Sequence, residues 1–376
     1  MLSEQVKKDR EVFIEELLSG NYTTYFVATH PKYAAKAKGN FGAAFRFSSE
    51  PTSLAIPFMW KYKDARQKLL RLSELLTPEE AERRNINFVN PSLKDIPGAT
   101  LPTLRGGIQL LNAGERAYTH RHSANAFRFI LESPAEGAYT VVQGRKIPMR
   151  PGDLVMTPNW TWHDHHNEGK SHAIWFDGLD AIMAFWMGAG FFEEYGKEGA
   201  SLSDSYQKSD KSVDEVLARF GSGLIPTEGS TIGGGAPDAD NPMLYYPYSD
   251  VRRQLIKLSE ISEGSPHDGV VLRYVNPTNG KSIFQSMDAS LRLVKSKKEL
   301  KPAKRTENVI FITMEGNPSF DIKGGQKFDT EPFDVVAIPS WTEYSIKNSE
   351  NKPAIIFSYT DRPVFEYLGL YREKKS

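Results

Sequence analysis

Residues 119–167 and 302–348 of this 376-residue chain carry the same punctuation. In the first block Thr119-His120-Arg121-His122 leads to Phe127-Arg128-Phe129-Ile130, then to Pro151-Gly152-Asp153-Leu154-Val155-Met156-Thr157-Pro158-Asn159-Trp160. In the second, Pro302-Ala303-Lys304-Arg305 leads to Val309-Ile310-Phe311-Ile312, then to Pro332-Phe333-Asp334-Val335-Val336-Ala337-Ile338-Pro339-Ser340-Trp341. Trp160 corresponds to Trp341 and Asn167 to Asn348, at a nearly constant offset. A repeat of this kind means one supersecondary arrangement used twice. The short apolar runs, with Gly107–Leu111 and Tyr139–Val142 beside them, are separated by Gly, Pro and Asn turns, a pattern of short β-strands. The strand-rich texture starts near Leu101 and again near Val271.

The two copies differ in histidine. Six of the chain's eight histidines lie between His120 and His172, and histidine is the commonest metal ligand. Alternate residues of a strand share a face, so His120 and His122 project together with Arg121 turned away. His163 follows a turn at Pro151-Gly152-Asp153 and the run Leu154-Val155-Met156, and an antiparallel sheet folding back would bring it beside them. These three are read as the ligands of one metal ion. Their counterparts are Ala303, Arg305 and Tyr344. The expectation is one metal per chain, in the first copy.

Composition removes several classes of function. Lysine plus arginine equals aspartate plus glutamate, 47 each, so nothing in the balance asks for nucleic acid or an anionic membrane. The lack of cysteine excludes disulfides, thiolate metal sites and a cysteine nucleophile. The charged N-terminal ten residues do not resemble a signal peptide. No apolar run reaches the roughly eighteen residues that span a bilayer. A soluble, cytoplasmic protein is expected. Residues 1–20 read as a polar helix with Val6, Phe13, Leu17 and Leu18 on its apolar side, and residues 62–75 as a second helix. Thr77-Pro78-Glu79-Glu80 predicts the start of a third, carrying Arg83 and Arg84 near its end. Residues 180–198 read as an apolar helix or loop, and Gly233-Gly234-Gly235 marks a connector.

Gly114 followed by His120-Arg121-His122, and Gly152 followed by Pro158, His163 and Asn167, resemble the two cupin motifs, with Trp160 where many cupins have glycine. The resemblance implies a mainly β bicupin, two jelly-roll barrels behind an N-terminal helical and irregular region. The expected divisions are an arm at 1–100, a metal-binding cupin at 101–198, a connector at 199–268 and a degenerate metal-free cupin at 269–376. The cupin glutamate ligand is missing, its place held by Ala126 or Phe127. A three-histidine set without a carboxylate resembles the gentisate and salicylate 1,2-dioxygenase family. So do Gly107-Ile108-Gln109-Leu110-Leu111, Arg128, Trp160-Thr161-Trp162-His163-Asp164-His165, Asp177-Gly178-Leu179-Asp180 and the ending from Asp361-Arg362-Pro363-Val364 to Tyr371-Arg372-Glu373.

That resemblance implies Fe(II) and O2, with ring opening of an ortho-hydroxy aromatic acid between its carboxyl-bearing and hydroxyl-bearing carbons. Three neutral imidazoles leave the ion its full charge and three adjacent positions open. Arg128 is six residues beyond His122 and so, on an unbroken strand, faces the same interior as a fork for the substrate carboxylate. His165 is placed to act as acid, base or hydrogen-bond donor near oxygen, with a purely structural role as the alternative. Gln109 stands as the family's pocket glutamine, and Arg84, less readily Arg83, reaches toward the carboxylate. Trp160 and Trp162 are expected to be wall or core, and His30, His166, His172 and His267 to be ordinary histidines. Arg105 stands where the family often has an aromatic, which predicts a substrate other than plain gentisate, such as a substituted salicylate or hydroxynaphthoate. The resemblance also implies a homotetramer. Another metal-dependent cupin reaction, or a cupin that only binds a ligand, is the alternative reading of these residues, as is manganese in place of iron.

Overall fold

In the computed structural model the described residues are 3–30, 32–33, 49–81, 83–196, 206–221 and 242–375. The glycine triplet of the expected connector, 233–235, lies outside them. Residues 1–54 and 55–376 are separate compact units. In the first, Ser3 caps the helix Glu4–Ser19 by accepting from the Val6 amide. Its buried side differs from the expected one. Ile14 packs with Val27, Tyr33 and Leu18, while Val6 and Phe13 are exposed.

The rest is built on strands. The first half holds β1 (Phe58–Trp60), β2 (Asn85–Asn87), β3 (Arg105–Leu111), β4 (Arg116–His122), β5 (Ala126–Glu132) and β6 (Ala138–Val142). It continues with β7 (Arg145–Pro148), β8 (Leu154–Thr157), β9 (His163–Asn167), β10 (Ala173–Leu179), β11 (Phe192–Glu194) and β12 (Lys211–Ser212). The second half holds β13 (Tyr245–Tyr246), β14 (Val270–Tyr274), β15 (Asp288–Val294), β16 (Lys298–Glu299), β17 (Ala303–Arg305) and β18 (Val309–Glu315). It ends with β19 (Ser319–Ile322), β20 (Gln326–Asp329), β21 (Val335–Ile338), β22 (Tyr344–Asn348), β23 (Ala354–Thr360) and β24 (Glu373–Lys375).

Sheets β13-β8-β5-β10-β3-β2 and β11-β4-β9-β6-β7-β12 form one jelly roll. Sheets β1-β21-β18-β23-β15-β14 and β20-β19-β22-β17-β24 form the other, with β16 added at β22. The orders match strand for strand apart from β12 and β16, so the fold is the bicupin that the duplication predicts. The edge strands are exchanged. β1, from the first half, pairs with β21 of the second jelly roll, and β13, from the second half, pairs with β8 of the first. The expected arm and connector thus each give a strand to the neighbouring sheet.

Each exchanged strand runs into a helix of fourteen residues, Tyr62–Leu75 or Tyr248–Ile261, anchored in the same way. Tyr62 N donates to Asp334 Oδ1, and Tyr248 N donates to Asp153 Oδ1, both at 2.8 Å. The Tyr62 hydroxyl and Arg66 both reach Glu132, and the Tyr248 hydroxyl and Arg252 both reach Glu315. Between the barrels, Phe129 stacks on Phe357 with centroids 4.0 Å apart, and burying each such ring contributes about 1.5–3 kcal/mol. Asp180 accepts from Asn125 and from Ser286 of the other half, as Asp361 accepts from Asn308 and from Thr103.

Trp160 and Trp341 both have left-handed backbones, φ 57° and 61°, conformations that ordinarily favour glycine. In both, the amide donates across to the strand bearing the second ligand position, Trp160 N to His122 O and Trp341 N to Arg305 O. Among the described residues no helix is long and apolar enough to cross a membrane.

Candidate active site

His163 lies directly across from His120 in the β4–β9 ladder, after a bulge between Ala117 and His120. His122, two residues on, joins them. One ligand atom from each lies within 4.8 Å of the others, and the ring centroids are 4.1 to 5.6 Å apart. The Nδ1 atoms face backbone carbonyls: Tyr118 O at 2.9 Å for His120, Ala124 O at 2.9 Å for His122 and Thr161 O at 2.8 Å for His163. A carbonyl accepts only, so each Nδ1 carries the proton and each Nε2 keeps its lone pair. His163 Nε2 is buried with no hydrogen-bond partner. That donor set fits one metal ion. Burial keeps all three rings neutral, the metal-binding form. His120 and His163 fall well below the ordinary histidine value and His122 to about 4. Arg83 adds to the effect at His120, its Nη1 lying 2.6 Å from His120 Nε2.

Beside the triad is a cavity of about 410 Å³, lined in part by Arg83, Arg105, Gln109, His122, Arg128 and Asp177. Arg128 lies on β5, in the sheet opposite β4, so it meets His122 across the cavity rather than along one unbroken strand. The chain turns at Ser123–Asn125 and crosses between the sheets. Arg128 donates to Thr157, and its Nε lies 3.6 Å from Asp177 Oδ1 without a hydrogen bond. Burial lowers its pKa to about 10, which leaves it a cation at neutral pH. Burial raises Asp177, against the pull of Arg128. Gln109 projects from β3 with its Nε2 buried and unpartnered. Gly107, two residues earlier, leaves no room for a side chain, since a Cβ would lie 2.8 Å from Ile86 O. Arg105 Nε donates to Asn87 Oδ1 at 2.8 Å, and burial lowers its pKa.

A cupin domain is matched over residues 107–179. The chain is 32% identical to gentisate 1,2-dioxygenase 1 of Aquipseudomonas alcaligenes, covering 88% of this chain and 90% of that one. It is 32% identical to the 1-hydroxy-2-naphthoate 1,2-dioxygenase of Nocardioides sp. strain KP7, over 86% and 80% of the two chains. This chain belongs to the gentisate/salicylate 1,2-dioxygenase family. Salicylate 1,2-dioxygenase of Pseudoaminobacter salicylatoxidans, crystallised as an adduct with gentisate, superposes with a TM-score of 0.82 at 26% identity, over 100% of this chain and 96% of that one. The protein is therefore a ring-cleaving dioxygenase, with a histidine triad that fits a metal ion.

Within that family reading, the arginine pair resolves differently from the expected order. The helix opened by Thr77 is capped as predicted, with Thr77 and Glu80 bonding each other's amides, but ends at Ala81. Arg84 is then buried against Glu115, away from the cavity, and Arg83 lines it. His165 is fully buried, held at 2.9 Å by the Thr140 hydroxyl, with its Nε2 unpartnered. Burial, then Arg128, holds its pKa well below the ordinary value. His166 bonds Asp164 and stacks on Tyr139, and His172 bonds Glu132, so both serve the framework. His30 accepts from the Lys32 amide, and His267 faces the Lys301 and Pro302 carbonyls. Trp160 and Trp162 sandwich Arg121, 4.4 Å from each ring. Within the expected 180–198 stretch, described as far as residue 196, lie the helix Ala181–Trp186 and β11, which pairs with β4 and lays Phe192 over His120 at 5.5 Å. Phe192 and Asp177 gave no functional signal of their own in the sequence. Asp177 sat in a motif noticed for its resemblance, and Phe192 in a stretch of unassigned apolar residues.

Proposed function

We propose that the metal is Fe(II), held by His120, His122 and His163, and that the substrates are O2 and an ortho-hydroxy aromatic acid bearing a further polar group. The observation that carries this reading is the pairing of three Nε2 donors with a cavity walled by three arginines and one partly buried carboxylate. When bound, iron would supply the redox chemistry that lets oxygen open an aromatic ring. The chain's own residues would bind, orient and shield. Arg128 and Arg83 offer forked donors to the substrate carboxylate. Arg83 would leave His120 Nε2 to do so. Gln109 Nε2 lies unpartnered at the cavity wall, where a ring hydroxyl or carboxylate oxygen would satisfy it. His165 Nε2 would handle a proton or a hydrogen bond beside the ligand set, and Phe192 would keep water from His120.

Arg105 distinguishes the pocket. A cation tethered to Asn87 favours a ring substituent that accepts hydrogen bonds, as in substituted salicylates, or the altered ring size of 1-hydroxy-2-naphthoate. Arg84 has no part in this reading. A cytoplasmic homotetramer goes with it, and sedimentation measures the assembly. The decisive experiment loads Fe(II) anaerobically and follows oxygen uptake with gentisate, salicylate, 5-substituted salicylates and 1-hydroxy-2-naphthoate. Uptake with one or more of the last two is expected. Strong preference for gentisate alone would remove the argument from Arg105, and no uptake with any acid would sink the substrate class.

A further inference from the structure

The second jelly roll has lost its histidines but not its cavity. A space of about 460 Å³ opens among β14, β15, β17 and the loop before β14. A copy kept only for packing would fill such a space with apolar side chains, since interiors pack with few voids. Here the wall is polar. At the ligand positions, Arg305 ion-pairs with Asp268 at 2.9 Å and Tyr344 lies across from Ala303. At the position matching Gln109, β15 carries Arg292.

Arg292 is the unexplained group. Only 7% of it is exposed, it lines the cavity, and its Nε and Nη1 atoms are buried with no hydrogen-bond partner. Asp268 Oδ1 ion-pairs with it at 3.7 Å from Nη1, beyond hydrogen-bond reach, while the other oxygen of Asp268 accepts from Arg305. Phe311 backs the guanidinium at 4.9 Å, leaving its edge to donate. Buried guanidinium donors without acceptors are costly, and a planar oxyanion is their best complement. Of the other carboxylates on the wall, Asp288 is engaged by Arg273 and Glu373 by Lys375. Glu307 accepts from the Thr360 hydroxyl and lies 4.0 Å from Arg305, and burial pushes its pKa up to about 7, so it is only partly ionised near neutrality. Tyr344 and the Ser290–Ser358 hydroxyl pair line the same space and can bond the rest of a small polar ligand.

We infer that the metal-free jelly roll is a second binding site, taking a small carboxylic acid whose carboxylate is gripped by Arg292. The ligand is either aromatic, like the enzyme's substrates, or an open-chain acid, like the products of ring cleavage.

The test is calorimetric titration of the iron-loaded enzyme under nitrogen with benzoate and, separately, succinate. Neither can chelate the metal through an ortho-hydroxy acid. One or both should saturate a site of one per chain. That binding should weaken about ten-fold or more in Arg292→Met, the loss expected of a charge-assisted pair, and persist in His163→Ala. Oxygen uptake by Arg292→Met should stay near wild type. Arg292→Lys, which keeps the charge but not the fork, should bind more weakly than wild type, and serves if the methionine variant does not fold. Binding of benzoate shows the aromatic source and of succinate the open-chain one. The inference is overturned if neither acid saturates below about 10 mM, a free energy under 3 kcal/mol. It is equally overturned if binding survives Arg292→Met, or disappears in His163→Ala instead.

Discussion

The two jelly rolls share a frame and differ in what the frame holds. Much of what is shared satisfies backbone. Asp153 and Asp334 each hold the first amide of a helix. Asn167 bonds the carbonyls of Leu111 and Ser171, and Asn348 those of Val294 and Lys352. Asn125 and Asn308 each grip a buried aspartate. The differing residues lie at and beside the cavities: His122 and Gln109 line the first where Arg305 and Arg292 line the second, and the facing pair His120 and His163 is replaced by Ala303 and Tyr344. Backbone groups must be satisfied whatever a barrel contains, so the frame is constrained and the contents are not. A barrel can exchange the residues at its ligand positions without losing its shape.

The largest expected difference between the halves is at the third ligand position. His163→Ala should remove the metal and lower turnover by at least about a thousand-fold, the scale of losing a metal-activated step. Tyr344→Ala should leave one metal per chain and activity within a few-fold of wild type. Metal analysis and oxygen uptake on both variants check this, and equal losses would break the comparison. Next comes Arg128→Met, expected to lower kcat/KM about a hundred-fold, the cost of about 3 kcal/mol for a lost charged pair to substrate. Phe311, its counterpart, is core, so Phe311→Leu should lower the melting temperature and leave KM unchanged.

The frame should behave alike in both halves. Arg66→Met and Arg252→Met are each expected to cost about 1–2 kcal/mol in urea unfolding at pH 7. Burial alone would raise Glu132, but Arg66, Tyr62 and His172 outweigh it and hold its pKa at about 2. A carboxylate depressed in this way stabilises the fold above its unfolded value near 4.5 and loses that contribution as pH falls toward 2. The cost of Arg66→Met should therefore shrink between pH 5 and pH 2. A cost that does not change with pH would show that Arg66 acts by packing alone. The smallest effect is at the pocket's edge. Arg105→Phe should shift preference toward gentisate over 5-substituted salicylates by about ten-fold, near 1.4 kcal/mol, read as a ratio of kcat/KM values.

The sequence exposed the duplication because proline, glycine and asparagine at turns survive exchange of everything between them. The triad was legible for a similar reason: an i, i+2 pair and a third histidine in the partner strand follow from strand geometry once the turn is found. Arg83 and Arg84 were misordered because a helix start announces itself by its cap, while a four-residue length leaves no periodicity to read. With the helix ending early, the neighbouring arginine turned inward. Arg128 reached its place by a route that spacing along one strand could not describe. The exchange of β1 and β13 left no trace in the sequence either, since three and two residues are too few to show alternation. The second cavity was invisible for another reason: Arg292 reads as one more arginine until burial deprives it of water.

The exchange of β1 and β13 makes the two barrels hostages of one another. A chain cut between them would yield two fragments, each with an open sheet edge and a stray strand shaped for its sibling. Such fragments would be expected to rejoin when mixed and to aggregate when kept apart. On this reading the half that lacks the triad covers an open edge of the sheet in the half that carries it.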